Sequence, residues 1–220
     1  MLSGIFAFYL KYLATLPPLL AGIILFSRFN KGLRWLFYFV CFGTVMQLAS
    51  RIVVMLGHVN VPMMHLYVPL KFLFFSIFYA FYLDGFLSRR VVYAVAALFI
   101  TFSVINTIFI QSLFEYNSYV RAIGSLLLSV YCIVYFLKVM SDMQIKKPSR
   151  EPMVWINTGA LFYFSGSFFV FILSNLILNH SREWSLVAWR ISSILMTMFY
   201  LSMTVGFILT RKKQLVKPGR

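Results

Sequence analysis

Five basic side chains lie inside long apolar segments, where a positive charge is unfavourable. They are Lys11, Arg51, Lys71, Arg121 and Arg190. A charge in hydrocarbon costs several kcal/mol unless it is paired, lifted to the headgroups or exposed to water. The chain has only five Asp and Glu residues, and none of them falls inside an apolar segment. The sequence therefore predicts embedded cations that have no embedded acid to neutralise them.

Polar side chains lie at helical spacing from two of these cations and could help them bind an anion. Gln47 precedes Arg51 by four residues and Tyr67 precedes Lys71 by four, so each pair shares one helix face. Arginine holds a carboxylate or phosphate through two parallel hydrogen bonds, and lysine adds a point charge. We therefore predict a cationic layer near the outer surface that binds an anion. Its candidate ligand-binding residues are Lys11, Gln47, Arg51, Tyr67, Lys71, Asn175 and Arg190.

The same cations have a simpler explanation. Long Lys and Arg side chains can extend along apolar surface until their charged heads reach the headgroups. This explanation is preferred for Arg121, which lies closest to the outer end of its segment. For the embedded layer as a whole, an anionic small molecule, a lipid headgroup and an acidic segment of a partner protein all remain open as ligands.

The histidines and cysteines indicate a binding site less clearly than the basic residues do. Three imidazoles can bind zinc, but His58, His65 and His180 have no regular spacing and share a cationic surrounding. An interfacial or pH-responsive role is favoured for them, and neither a metal nor another cofactor is predicted. Cys41 and Cys132 both fall in apolar segments and are predicted to be packing residues.

Motifs for catalysis are missing from the sequence. It contains no HExxH, GxSxG, GxGxxG or P-loop pattern. The last apolar segment has no lysine, which argues against a retinal Schiff base there. An enzyme acting on lipid phosphates would need a general base, and only the histidines and loop glutamates could serve. No catalytic residue is predicted, and a non-enzymatic function is favoured.

Composition and segment length define the elements that position these residues. Hydrophobic residues make up 61% of the chain and charged residues 11%, against roughly 25% charged in soluble domains. A membrane-spanning helix needs about 20 apolar residues. Seven segments qualify: 4–27, 34–56, 64–83, 91–111, 117–140, 153–178 and 184–210. We predict an all-α polytopic membrane protein, one seven-helix bundle over residues 1–210 with a basic tail at 211–220.

The distribution of positive charge predicts the orientation. Fourteen of the twenty basic residues lie in or beside the first, third and fifth loops or in the tail: Arg28, Lys31, Arg34, Arg89, Arg90, Lys138, Lys146, Lys147, Arg150, Arg211, Lys212, Lys213, Lys217 and Arg220. Cytoplasmic loops accumulate Lys and Arg, so the C-terminus is predicted inside and the N-terminus outside. The same rule accounts for the net charge of +15 without nucleic acid, which is not predicted as a partner.

Two stretches resemble a poorly characterised bacterial family of seven-helix membrane modules. They are His65-Leu66-Tyr67 with Leu70-Lys71-Phe72, and Trp155-Ile156-Asn157 with Tyr163-Phe164-Ser165-Gly166-Ser167. Some members stand alone and others precede a histidine-kinase output region, and the resemblance covers all seven segments. It implies a sensing or signalling module in the inner (plasma) membrane, whose output passes through a membrane or cytoplasmic partner.

Lys71 departs from the family pattern, in which an acidic residue is expected at this position. The resemblance therefore implies no shared ligand. The alternatives to a sensor-like or partner-binding module are a small anion transporter and a membrane-embedded lipid-modifying enzyme.

Overall fold

A computed structural model describes residues 13–142, 147–173 and 182–215, with the side chains of 182–185 and 212–215 excepted. Every regular element in these ranges is helical, which confirms the all-α prediction. The α-helices are α1 (Leu16–Leu25), α2 (Lys31–Met55), α3 (Val61–Tyr82), α4 (Arg89–Ile105), α5 (Ser118–Asp142), α6 (Pro152–Ile172) and α7 (Arg182–Leu215). Short 3-10 turns occupy Phe26–Arg28 and Pro148–Arg150, and a π-helical turn, Asn106–Ile110, continues α4.

Six candidate membrane spans are present in the described part of the chain. They are Lys31–Met55, Val61–Tyr82, Arg89–Ile110, Ser118–Asp142, Pro152–Ile172 and Leu186–Arg211. The first apolar helix, Leu16–Arg28 with its 3-10 turn, is shorter than a span. The rest of the predicted segment 4–27 reaches into residues 1–12, which lie outside the described residues. The structure thus establishes an all-helical, membrane-type architecture with six long apolar helices.

Two prolines determine where α1 begins. A turn at residues 14–15 precedes the helix, and Pro17 and Pro18 lie in its first turn. Proline is tolerated there because the first N–H groups of a helix have no intrahelical acceptor. Gly22 faces the ring of Phe37 so closely that no Cβ would fit. This contact brings α1 against α2, and the opposite flank of α1 packs on α7.

Helix α3 is the centre of the bundle. The ring of Phe75 meets one ring from each of α2, α6 and α7, with centroids 4.7, 5.1 and 6.0 Å away: Phe39, Phe164 and Phe199. One turn earlier, Phe72 lies 4.1 Å from Phe99 of α4. These rings are almost completely buried, so apolar packing fixes α3 from several sides at once.

A buried polar network ties α3 to α5 and α6. The Tyr79 hydroxyl donates to Asn157 Oδ1 at 2.8 Å, and Asn157 Nδ2 donates to the Cys132 carbonyl at 2.9 Å. Cys132 Sγ lies 3.0 Å from the same hydroxyl. All three residues are fully buried, and satisfied polar groups in such a place restrict the helices to one packing arrangement. Asn157, part of the sequence motif in α6, therefore has a structural role.

The two ends of the bundle differ in charge. The loops α1–α2, α3–α4 and α5–α6 lie at one end, called the basic end here, and the loops α2–α3 and α4–α5 lie at the opposite end. At the basic end Lys138 donates to the carbonyls of Tyr82 and Asp84 at 3.0 and 2.5 Å. The Asp84 carboxylate pairs with Arg89 at 2.6 Å. These contacts cap the last carbonyls of α3.

Candidate anion-binding site

Lys71 lies deep in the bundle on the central helix. It is ten residues after Val61, where α3 begins, which corresponds to about 15 Å along the helix axis. The side chain is only 5% exposed. Pro69, two residues earlier, interrupts the helical hydrogen bonding of α3 because proline has no N–H to donate. The sequence thus places a cation at a weakened point of an otherwise tightly packed helix.

Aromatic rings surround the Lys71 ammonium. Its Nζ lies 5.9 Å from the ring centroids of Tyr67 and Tyr163 and 5.7 Å from that of Phe164. Rings at this distance attract a cation through their quadrupoles, but they do not accept its N–H protons as an anion would. The described acidic residues all lie in loops or at helix ends: Asp84, Glu115, Asp142 and Glu151. Among the described side chains, Lys71 therefore has no acidic partner.

Arg121 is a second cation beside this cluster. It lies in the first turn of α5, and its guanidinium carbon is 4.1 Å from the centroid of Phe171 and 4.8 Å from that of Tyr116. Stacking of this kind uses the flat face of the guanidinium and leaves the N–H groups at its edge. Within the described ranges these N–H groups have no hydrogen-bond acceptor. Arg121 thus stacks on two protein rings and stays partly exposed near the outer end of α5, and its predicted extension to the headgroups stays a prediction.

The positive charge of Arg121 also affects the residues around Lys71. The charge of Arg121 is close enough to influence Lys71, Tyr67 and Tyr163. We name this group, Lys71, Arg121, Tyr67 and Tyr163, the Lys71–Arg121 site. Two like charges in low-dielectric surroundings repel, and a bound anion would replace that repulsion by attraction.

Tyrosine hydroxyls from two helices, α3 and α7, lie near Gly43 of α2. A Cβ atom added to Gly43 of α2 would lie 3.7 Å from the Tyr200 hydroxyl and 3.9 Å from the Tyr67 hydroxyl. Stacked neighbours hold the phenol rings: Tyr67 on Phe42 at 5.8 Å, and Tyr163 on Phe199 at 5.2 Å. Phenols can donate to an oxyanion. Packing thus holds the Tyr67 and Tyr163 rings, both of which lie 5.9 Å from Lys71 Nζ, in a fixed arrangement.

The loop at residues 111–117 places Tyr116 against Arg121. Gln111 Nε2 donates to the Tyr116 carbonyl at 3.1 Å and to Ser118 Oγ at 3.0 Å, while its Oε1 accepts from Asn106 Nδ2 at 3.1 Å. Burial raises the pKa of the Tyr116 phenol, an effect that the Arg121 charge partly offsets. The phenol is therefore neutral at physiological pH and remains a donor.

The His65 side chain of α3 makes hydrogen-bonding contacts to the same loop and to the π-helical turn before it. Its Nε2 lies 3.1 Å from the Glu115 carbonyl and its Nδ1 lies 2.9 Å from Thr107 Oγ1 in the π-helical turn. His58 is exposed, and His180 lies outside the described residues. In the part of the chain that the structure describes, no group of three His, Cys, Asp or Glu residues could hold a metal ion. His65 has the contacts of a structural residue.

The structure brings together only part of the predicted ligand-binding set. Tyr67 and Lys71 share the Lys71–Arg121 site, as their spacing on one helix face suggests. Gln47, Arg51 and Arg190 are partly exposed, each with an interaction partner of its own, and the contacts of Lys71 do not include them. Lys11 and Asn175 lie outside the described residues.

The predicted ligand-binding set left out two of the four residues of the Lys71–Arg121 site, Arg121 and Tyr163. It also left out Tyr200, whose hydroxyl lies near Gly43 together with that of Tyr67. Tyr163 belongs to a motif in α6, and that motif was the available signal for it. Arg121 lies so near its helix end that sequence favours a surface position, and only helix packing brings Phe171 of α6 onto it. No sequence motif distinguishes Tyr200, because α7 contains many other apolar and aromatic residues.

Comparison with known proteins adds no identification. No family model, no curated protein and no solved structure matches the chain. The fold and the site define a class by themselves: an all-helical membrane-type protein in which two basic side chains, Lys71 and Arg121, lie against aromatic rings.

Proposed function

We propose that the chain crosses the bacterial inner membrane seven times, with its N-terminus outside and its C-terminus in the cytoplasm. Two observations support a seventh span in addition to the six candidates. Helix α1 packs against α2 and α7 as a member of the bundle, and the predicted apolar segment extends upstream of it. The basic end then faces the cytoplasm, as the positive-inside rule requires.

Reporter fusions test this topology. A fluorescent protein fused after Arg220 is expected to fluoresce, because it would fold in the cytoplasm, while alkaline phosphatase at that position stays inactive. The same two reporters inserted after Val59, in the α2–α3 loop, are expected to give the opposite result. An active phosphatase at the C-terminus would contradict the proposed orientation.

We further propose that the protein is a non-enzymatic, sensor-like or partner-binding module that binds an anion at the Lys71–Arg121 site from outside. One observation carries this proposal: Lys71 is 5% exposed and lacks an acidic partner among the described residues. A cation in such a place is unfavourable for folding. A ligand that supplies the missing negative charge gives a physical reason for its presence.

Signalling through a partner is the output that we propose for this site. The resemblance of the His65-Leu66-Tyr67 and Trp155-Ile156-Asn157 stretches to sensing modules supports it. Helix α3 carries Lys71 and also contacts α2, α4, α6 and α7 through its aromatic rings. Binding at Lys71 could therefore change helix packing as far as the basic end, where a membrane or cytoplasmic partner would respond.

A small anion transporter is the second candidate. The hydroxyls of Tyr67 and Tyr200 converge near Gly43 in the middle of α2, which would supply polar groups inside the bundle for a passing anion. Transport predicts anion flux into proteoliposomes, whereas a sensor binds without flux. A lipid-modifying enzyme is less favoured, because His65, a potential base, has both ring nitrogens engaged.

Direct binding tests the proposal. The protein in nanodiscs of zwitterionic lipid is titrated with hexanoate and with hexyl phosphate, and binding is followed by calorimetry and by the rise in unfolding temperature. Saturable binding of an anion that weakens with added salt is expected, because opposite charges attract and salt screens them. Absence of saturable binding for both probes would reject the anion-binding function.

A further inference from the structure

Gly43 differs from the other glycines on the described helices. At all the others an added Cβ would lie under 3.0 Å from a neighbouring atom: Gly22, Gly32, Gly124, Gly159, Gly166 and Gly206. A Cβ at Gly43, a buried residue in the middle of α2, would lie 3.7 Å from its nearest neighbour. Close helix packing therefore explains the other glycines but not Gly43. The missing side chain leaves room there, called the Gly43 space here.

Two phenol hydroxyls border the Gly43 space. Apart from the nearby backbone of α2 and the two chain neighbours of Gly43, they are the only described atoms within 4 Å of the Cβ position: Tyr67 Oη of α3 at 3.9 Å and Tyr200 Oη of α7 at 3.7 Å. Tyr200 is only 4% exposed. Neither hydroxyl has a hydrogen-bond partner in the ranges that the structure describes. A buried donor without an acceptor opposes folding, and a ligand that accepts from it would remove that cost.

We propose that the Gly43 space binds an uncharged carbonyl compound, whose oxygen accepts hydrogen bonds from the Tyr67 and Tyr200 hydroxyls. A carbonyl oxygen has two lone pairs, so it can accept from both phenols at once. The inference adds a second site and does not depend on anion binding at Lys71.

The charges around the Gly43 space favour an uncharged ligand. A phenol hydroxyl donates without carrying a charge, and a buried anion needs a cation in direct contact. Lys71 Nζ lies against the ring of Tyr67, 5.9 Å from its centroid, and makes no hydrogen bond to either hydroxyl among the described contacts. A neutral carbonyl oxygen meets both donors without the cost of burying a charge.

Aromatic stacking holds the two phenols and describes the rest of the ligand. The Tyr67 ring stacks on Phe42 of α2 at 5.8 Å, and the Tyr200 ring stacks on Phe199 of α7 at 6.0 Å. Packing of this kind keeps both hydroxyls directed at the Gly43 space. Ring faces offer apolar surface and favour stacking with another flat group. The site therefore fits an aryl ketone or another flat, apolar carbonyl compound.

A matched pair of probes tests the carbonyl requirement. Para-fluoroacetophenone and para-fluoroethylbenzene have nearly the same shape and the same fluorine reporter, but only the first has a carbonyl oxygen. Fluorine NMR of the protein in zwitterionic nanodiscs is expected to show saturable binding of the ketone, about tenfold tighter than that of the hydrocarbon, because two hydrogen bonds are lost with the oxygen. Equal affinities, or no saturable binding of the ketone, would overturn the proposal.

Tyr200→Phe removes one hydroxyl and keeps the ring. This variant is expected to bind the ketone about 3- to 10-fold more weakly and the hydrocarbon as before, because one hydrogen bond is lost. Tyr93→Phe, the same change at an exposed position of α4, is expected to keep the wild-type affinity for both probes. Equal ketone affinity in the wild type and the Tyr200 variant would contradict the assignment of the donors.

Gly43→Ala fills the space itself. The added methyl group makes only ordinary contacts with the protein, so the unfolding temperature is expected to hold while ketone binding falls at least about tenfold. Unchanged ketone binding in this variant would place the ligand elsewhere and overturn the site. Hexanoate titration of the wild type reports anion binding separately, so either proposal can fail without the other.

Discussion

Lys71→Gln is expected to weaken binding of hexyl phosphate and hexanoate by about 10- to 100-fold, while leaving the fold intact or making it more stable. Charge-assisted hydrogen bonds contribute about 1.5–3 kcal/mol each, and each 1.4 kcal/mol corresponds to tenfold in affinity. Glutamine keeps much of the length and one amide donor but removes the charge. The loss should therefore appear in affinity for every anion that uses the site.

The Lys71→Gln variant is expected to lose anion affinity but not stability. Lys71 is buried and has no acid to pair with in the described ranges, so its charge opposes folding. Removing that charge should leave the unfolding temperature of the ligand-free protein unchanged or raise it. A residue retained for structure behaves otherwise, since its loss lowers stability. Thermal unfolding without ligand, measured beside calorimetric titration, separates these two roles.

Lys31→Gln provides the matched control for this prediction. Lys31 is exposed at the start of α2, at the basic end. The same loss of one positive charge there should leave binding within about twofold, because exposed charges far from a site are screened by salt. Unchanged anion affinity in Lys71→Gln, or equal losses in both variants, would contradict the assignment of the site.

Gly206→Ala is expected to destabilise the protein by about 1–3 kcal/mol, the usual cost of forcing an extra carbon into a packed interior. Gly206 of α7 faces α6, where a new Cβ would overlap the Ile156 side chain and lie 2.9 Å from the Pro152 carbonyl oxygen. A side chain can change rotamer, but a backbone oxygen moves only with its helix. The substitution should therefore push α6 and α7 apart.

Gly43→Ala is the control for that substitution. Its Cβ would have no neighbour closer than 3.7 Å, an ordinary contact, and alanine favours a helix over glycine by about 1 kcal/mol. Gly43→Ala should keep or raise the unfolding temperature in detergent, whereas Gly206→Ala lowers it by several degrees. Equal melting of the two variants would show that α6 and α7 are not closely packed at Gly206.

Hydrophobic length was enough to predict the class and the helical content from sequence. Runs such as the one around Val61–Tyr82 are too long for barrel strands and too apolar for a soluble surface. The first segment, 4–27, was harder to predict. Its described helix begins at Leu16, with Pro17 and Pro18 in the first turn, and this helix is shorter than a membrane span. The seventh crossing and the orientation therefore remain proposals.

Spacing along one helix predicted half of the site. Tyr67 and Lys71 lie four residues apart, and helical geometry alone puts them on one face. The same reasoning grouped Gln47 and Arg51 with them, but a shared depth does not bring side chains from different helices together. The choice among cations at one depth depends on which side chains from different helices touch, and Lys71 of α3 touches Tyr163 and Phe164 of α6.

Composition and charge distribution by themselves determined that this is a helical membrane-type protein with embedded cations and too few acids to pair them, because hydropathy and charge belong to residues one at a time. Tertiary structure alone decided which cations meet. Lys71 of α3 meets Tyr163 and Phe164 of α6, and Arg121 of α5 meets Phe171 of α6 and Tyr116 of the preceding loop. Such contacts join residues far apart in the chain, and they depend on the mutual packing of helices that no local pattern encodes.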